Sequence, residues 1–298
     1  MGDLRNKARK DEERARIHAM QERLHPQRAD PPLPRCDCAF TWLETKMVSH
    51  QDDRWRPPRL YCFKCLPPQL EEFWYGPRMC NLYSVTKSQE AIRQLVRAIR
   101  DLAGNMPPMP AIFPNGRAPV VRVAPDGVRE LTMMRWGFPP PNIPGSKPRN
   151  PYLTNVRNTD SRYWQTYLTK PENRCLVPVT AVAEPDNNQG PRSIWTWFAQ
   201  DESRPLMFFA GIWREWEGDR GTKAVPDMGT HQVFSFLTTD ASPDVAPIHP
   251  DATPVLLLDE EARETWMNAP WEIAQSLQRP PAAGALRIVA RDVKQDTA

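Results

Sequence analysis

The apolar positions of this chain change their spacing near residue 105. Ala91, Ile92, Leu95, Val96, Ile99 and Leu102 recur at three- and four-residue intervals, which puts them on one face of a helix. Thr86 and Gln89 have the spacing of a capping box ahead of it, and Gly104 can stop it. Beyond the proline-rich stretch from Met106 to Pro114, apolar residues come in short β-branched and aromatic runs. These are Pro119 to Ala124, Val128 to Trp136, Arg174 to Val179, Ile194 to Ala199, Leu206 to Trp213, Gln232 to Thr239 and Pro254 to Leu258. Turn formers separate them, as they separate strands. Asp259 can N-cap a helix reaching Met267, a second helical stretch spans Trp271 to Leu277, and a last strand, Ala285 to Ala290, follows a turn at Gly284. The pattern predicts an α+β domain built on a twisted antiparallel sheet or partly closed β-barrel with peripheral helices.

Composition divides the chain in two. Residues 1–78 carry 15 Lys+Arg against 12 Asp+Glu and so hold the whole net charge of +3, leaving residues 79–298 balanced. Any nucleic-acid contact by the second part must therefore come from a local basic patch. The 34 prolines against 13 glycines argue for fixed turns and against a helix bundle. Residues 1–28 alternate charge signs, as an exposed helix or a disordered tail does. Cys36 and Cys38, then Cys62 and Cys65, form two close pairs, the plan of a four-cysteine structural zinc site; four unconnected thiols is the other reading. No apolar run is long enough to span a membrane and no apolar signal segment opens the chain. The expectation is a cytosolic, cytoplasmic monomer with no membrane association: an extension over 1–78 and a catalytic domain over 79–298, the latter needing no cofactor.

The extension ends at a second potential beginning, Met79-Cys80. A cysteine at an N-terminus offers an amine and a thiol on adjacent carbons, a pair that condenses with an aldehyde to a thiazolidine. As an internal residue, Cys80 reads as a small buried apolar side chain. Asn155, in the turn-rich stretch Asn155-Val156-Arg157-Asn158, reads alone as turn capping. Glu184 ends the apolar run Cys175 to Ala183, where a strand reaches water or a cleft opens. His249, in Ile248-His249-Pro250, reads alone as a structural histidine at a loop–strand junction. Together the four supply a nucleophile, an orienting amide, an acid–base group and a proton carrier.

Met79-Cys80, Arg135-Trp136-Gly137, Asn155-Val156-Arg157, Arg174-Cys175-Leu176-Val177-Pro178 leading to Glu184, and Ile248-His249 before Pro254-Val255-Leu256-Leu257 follow in this order. That series resembles the SRAP (SOS response-associated peptidase) family, whose members shield abasic sites in single-stranded DNA. The resemblance implies that Cys80, exposed at an N-terminus, attacks the open-chain aldehyde and forms a thiazolidine crosslink. It implies that Asn155 holds the amine and the sugar, and that Glu184 acts as acid–base. His249 would protonate or stabilise the opening sugar, and Arg157 would contact the DNA backbone. Trp136 would shape the pocket or line the strand, with core packing as the other reading. Imine formation requires proton delivery to departing water, which a carboxylic acid shielded from solvent can provide.

Three positions depart from the family. Asn81-Leu82 stands where Gly-Arg is frequent, Pro185 where an aromatic follows the glutamate, and Asp251 where an arginine often follows the histidine. Family members usually begin at the methionine matching Met79. The preceding residues are then a wrong start, a leader that is removed, or a retained segment that acylates Cys80. Two other functions compete: a thiol peptidase or amidase with Cys80 activated by His249, and a non-enzymatic module that binds nucleic acid or protein. Blocking the Cys80 amine separates crosslinking from peptidase chemistry.

Overall fold

The structure, a computed structural model, describes residues 81–141, 152–186, 194–222 and 224–296. The extension over 1–78, with Cys36, Cys38, Cys62 and Cys65, lies outside the described residues, as does Cys80. In chain order the elements are β1 (Tyr83–Val85), α1 (Gln89–Val96), β2 (Arg100–Asp101), β3 (Met109–Ile112), β4 (Arg117–Val123), β5 (Arg129–Trp136), β6 (Asn155–Val156), α2 (Arg162–Leu168), β7 (Arg174–Val179), β8 (Ala181–Asp186), β9 (Ile194–Ala199), β10 (Met207–Asp219), β11 (Met228–Thr239), β12 (Thr253–Pro254), β13 (Leu256–Leu257), α3 (Glu260–Asn268), α4 (Trp271–Ala274) and β14 (Arg287–Arg291).

Five strands close on themselves. β11, β10, β7, β4 and β5 pair in that order as antiparallel neighbours, and β5 then lies parallel to β11 through Val233↔Arg135 and Phe234↔Trp136. The result is a five-stranded mixed barrel in an α+β domain: the barrel and the peripheral helices agree with the expectation, and the parallel β5–β11 pairing departs from an all-antiparallel arrangement. Closure removes the free edges that an open sheet would have to protect. A second sheet, ordered β14-β9-β8-β1-β3, is antiparallel throughout. The chain crosses from barrel to sheet at one residue, Thr180, between β7 and β8. The apolar run Cys175 to Ala183 is thus two strands serving two cores.

The barrel core is aromatic at one end. Tyr83 packs edge-on against Trp136 (5.0 Å between centroids) and Phe209 (5.5 Å), and Phe209 lies 4.3 Å from Phe236. All four are fully buried. Burial of each such side chain contributes roughly 1.5–3 kcal/mol. β7 is buried on both faces because α3 covers its outer side; the Trp266 indole donates to the carbonyls of Cys175 (3.0 Å) and Gly211 (3.1 Å). A Cβ at Gly211 would stand 2.8 Å from Cys175 Sγ, so that close approach needs glycine. A smaller core, Leu82, Ala181, Ala183, Trp197 and Ala199, packs on the other side of β8.

α1 is shorter than its apolar spacing predicts. Ser88, not Thr86, caps it by accepting from Ala91 N (3.2 Å), and Arg97 ends it in the left-handed region at φ 53°. Ile99 and Leu102 leave the helix because their amides donate to Arg129 O and Leu131 O along β5. The Gln89 side chain turns instead to Asp101, at 2.6 Å. The predicted strand Pro254 to Leu258 is split: Thr253–Pro254 pairs with β11 and Leu256–Leu257 with β10. Among the described residues no helix is long and apolar enough to cross a membrane.

Candidate functional site

Alternation along β8 aims Glu184. Ala181 and Ala183 face the smaller core, while Val182 packs in the main core directly opposite Tyr83 of β1. Glu184 follows Val182 by two and so shares its face, with 1% of its surface exposed. The β1–β8 register, Tyr83↔Val182 and Ser84↔Ala181, carried two residues outward brings Asn81 opposite Glu184. A bond from Ala183 N to Leu82 O (3.0 Å) continues the ladder in that direction. Cys80 lies outside the described residues, but it is bonded to Asn81, and consecutive Cα atoms sit about 3.8 Å apart.

Asn155 is in a strand, not the turn its neighbours suggest. β6 lies parallel to β11 with Asn155 beside Phe236, and the residue is buried. Its Nδ2 donates to Thr154 Oγ1 (2.8 Å), and Thr154 Oγ1 in turn donates to Asn81 Oδ1 at 3.4 Å. Thr154 also accepts from the Trp136 indole through its carbonyl (2.9 Å). Trp136 is fully buried and presents no face to solvent; it braces the segment holding Asn155 and stacks on Phe236 in the core. Gly137, at φ 116°, is required next to it, since a Cβ there would lie 2.7 Å from Tyr152 Cβ.

His249 closes a run of turns beginning at Ser242. The amides of Val245 and Ala246 donate to Ser242 O, and the His249 amide donates to Val245 O (2.9 Å). The imidazole is 2% exposed. Its Nδ1 stands 3.1 Å from Ala252 O and 3.7 Å from Glu184 Oε2, and its Nε2 is 4.0 Å from Asp251 Oδ2. The Ala252 carbonyl can only accept, so Nδ1 donates to it, and Nε2 is turned toward Asp251. Taking a carboxyl and an imidazole out of water costs several kcal/mol unless they are paired, and here the two face each other.

The fold brings Glu184 and His249 within 3.7 Å of each other, and Asn155 is linked through Thr154 to Asn81 at the start of β1. Arg157 stands apart from the seam, exposed and ion-paired with Asp240, while Gln278 donates to its carbonyl (2.9 Å). The three departures have structural consequences. Leu82 is fully buried in the smaller core, so no cation stands there; Pro185 pairs with Trp195 on β9; and Asp251 sets an acid beside His249. Thr154 and Asn81 are tied to Asn155 by hydrogen bonds; the sequence marked Asn81 only as a departure and Thr154 not at all. Adjacency to Asn155 and to Cys80 was the signal available. Cys175 is the only cysteine among the described residues, and burial pushes its thiol well above the ordinary value, which disqualifies it as a thiolate near neutrality. Among the described residues no group of three or more His, Cys, Asp or Glu side chains can hold a metal ion.

A small mixed barrel flanked by a sheet, with a buried carboxyl–imidazole pair at their seam, is the class of domain these observations define. The family model described as SOS response associated peptidase (SRAP) matches residues 79–296, and the chain belongs to that family. Two crystal structures share the fold. A protein from Bordetella bronchiseptica superimposes with a TM-score of 0.53 at 22% identity, over 72% of this chain and 98% of that one. A protein from Bacteroides thetaiotaomicron does so with a TM-score of 0.54 at 20% identity, over 70% and 90%. No curated protein matches the chain.

Proposed function

We propose that this protein captures abasic sites in single-stranded DNA through Cys80, once the preceding residues have been removed and its amine is free. The observation that carries the reading is the buried Glu184–His249 pair, 3.7 Å apart, facing the strand that Cys80 leads into. The Cys80 amine adds to the C1′ aldehyde of the open sugar. Protonation of the resulting hydroxyl by Glu184 lets it leave as water, giving an imine. The Cys80 thiol then loses its proton and adds its sulfur to the imine carbon, closing the thiazolidine. One water is released and nothing is oxidised. His249, through Nε2, exchanges protons with the sugar oxygens, and Asn155 orients the amine. Arg157 exchanges Asp240 for a phosphate, a positioning contact that carries no base information.

A second reading has one observation in its favour. A histidine with Nδ1 set against a carbonyl and a carboxyl, and Nε2 left as a base, is also the arrangement that activates a thiol for amide hydrolysis. The same groups would serve cleavage before Cys80. A chain beginning at Cys80, reacted with and without N-acetylation of that cysteine, separates the two. Crosslinking predicts loss of the covalent DNA adduct on acetylation; a thiol hydrolase predicts that turnover of its amide substrate survives. For residues 1–78 we propose a structural zinc held by Cys36, Cys38, Cys62 and Cys65. One equivalent of zinc in the full-length chain, lost on Cys62→Ser, is the expected result.

A further inference from the structure

The last described residue is an acid buried against the strand that Cys80 leads into. Asp296 has a fully buried side chain, and each of its oxygens is taken. Oδ2 accepts from Ser84 Oγ at 2.8 Å, and Oδ1 accepts from Arg204 Nε at 2.7 Å. Its amide donates to Pro110 O on β3 at 2.9 Å. Arg204, 8% exposed in its side chain, is itself held in the left-handed region at φ 50° by the turn before β10, with its amide on Asp201 O. Ser84 is the middle residue of β1, and its hydroxyl also lies 3.1 Å from that of Thr180, the crossing point between barrel and sheet. The Thr180 amide donates to Ser84 O at 2.8 Å, and the Thr86 amide donates to Thr180 Oγ1 at 3.1 Å. One residue thus joins three elements: its carboxylate holds β1 and the turn before β10, and its amide holds β3.

A three-residue strand has few ladder bonds of its own with which to resist sliding or fraying. Three residues before Ser84 stands Asn81, in register with Glu184 and in contact with Thr154. A displacement of β1 therefore moves the residue attached to Asn81 relative to the acid and the base. The network is buried, charged and specific, where an apolar staple would have held a strand as firmly without an ion pair.

We propose that Asp296 is a positioning residue for the condensation: through Ser84 it fixes β1, and so sets Cys80 against Glu184 and His249. The inference rests on the assignment of Cys80 and Glu184 made above. Misplacement by about 1 Å lowers the rate of an oriented reaction on the order of a hundredfold.

Ser84→Ala is the informative variant. It cuts the tie to β1 and leaves the Arg204–Asp296 pair intact, whereas Asp296→Asn strips Arg204 of its anion and endangers the fold. Adduct formation by the chain beginning at Cys80 should be followed at saturating single-stranded DNA with one abasic site, together with amide exchange over residues 81–86. The expected result is faster exchange in that segment and a maximal rate at least about tenfold lower per folded molecule. The DNA concentration for half-maximal rate should change less than about twofold, a split that general destabilisation does not produce. A wild-type chain that reacts, beside a Ser84→Ala chain with the same maximal rate, overturns the positioning role and leaves Asp296 a stability residue. A wild-type chain that forms no adduct overturns the assignment of Cys80 itself, and this inference with it.

Discussion

The barrel and the second sheet solve the same packing problem with different materials. The barrel is filled by apolar and aromatic side chains, and its strands are held by closure. The seam of the second sheet buries Ser84, Thr180, Glu184, Asp186, Thr196 and Asp296, polar groups that cost free energy unless each finds a partner. A structure gains nothing in stability from this substitution, since well-packed hydrophobic residues usually do as well. The barrel holds most of the apolar core, and the seam holds the residues to which we assign the proposed chemistry. The parallel β5–β11 contact places Trp136, whose indole holds the Thr154 carbonyl and so steadies Asn155.

That division can be broken by substitution. Glu184→Gln keeps the shape of the seam and removes its proton; single-turnover adduct formation should fall by roughly 10²–10⁴-fold, with the unfolding midpoint little changed. Leu176→Ala, deep in β7, should do the reverse. Denaturant unfolding should show a loss of about 2–5 kcal/mol, while adduct yield per folded molecule stays at the wild-type level. A Leu176→Ala protein that folds yet loses the reaction would show that barrel and seam are not separable. Asp240→Asn frees Arg157 for phosphate, and affinity for single-stranded DNA should rise no more than about fivefold, because an exposed ion pair is worth at most about 1 kcal/mol. Fluorescence anisotropy at two salt concentrations measures it.

The smallest effect is one of pH. Hydrogen bonds from Arg129 hold the Glu264 carboxyl below its ordinary value, tying α3 to β5. A lowered native value means that the unfolded chain binds the proton more readily. The contribution is therefore complete above the unfolded carboxyl range, near 4.5, and is lost as pH falls through the native value. Glu264→Gln should narrow its stability gap to the wild type as pH is lowered from about 6 to about 3.

Local rules in the sequence predicted what depends on local chemistry. β7 and β9 begin and end where their apolar runs do, and Asp259 caps α3 as its position suggests, accepting from Ala262 N at 2.7 Å. Partners at a distance were not legible. A partly closed barrel was legible, but nothing in the runs of β5 and β11 says that they meet in parallel and complete the closure. Ile99 and Leu102 continue the spacing of α1, but backbone bonding to the edge of β5 outweighs a further helical turn. Asn155 reads as a turn former because asparagine usually is one; only its pairing with Phe236 makes it a strand residue. Of the candidate site, residue types and order were readable, and the approach of Glu184 to His249 and the link from Asn155 to Asn81 required the fold. The burial of Trp136 was one of two readings left open, because tryptophan suits both a stacking surface and a core.

The central claim is that Cys80 reacts with an aldehyde through its amine and thiol together. Intact mass of a chain beginning at Cys80, after incubation with single-stranded DNA bearing one abasic site, tests it most directly. The account predicts a species heavier by the oligonucleotide less one water, absent from Cys80→Ala. An unchanged mass, or an equal adduct on the Cys80→Ala chain, would contradict it.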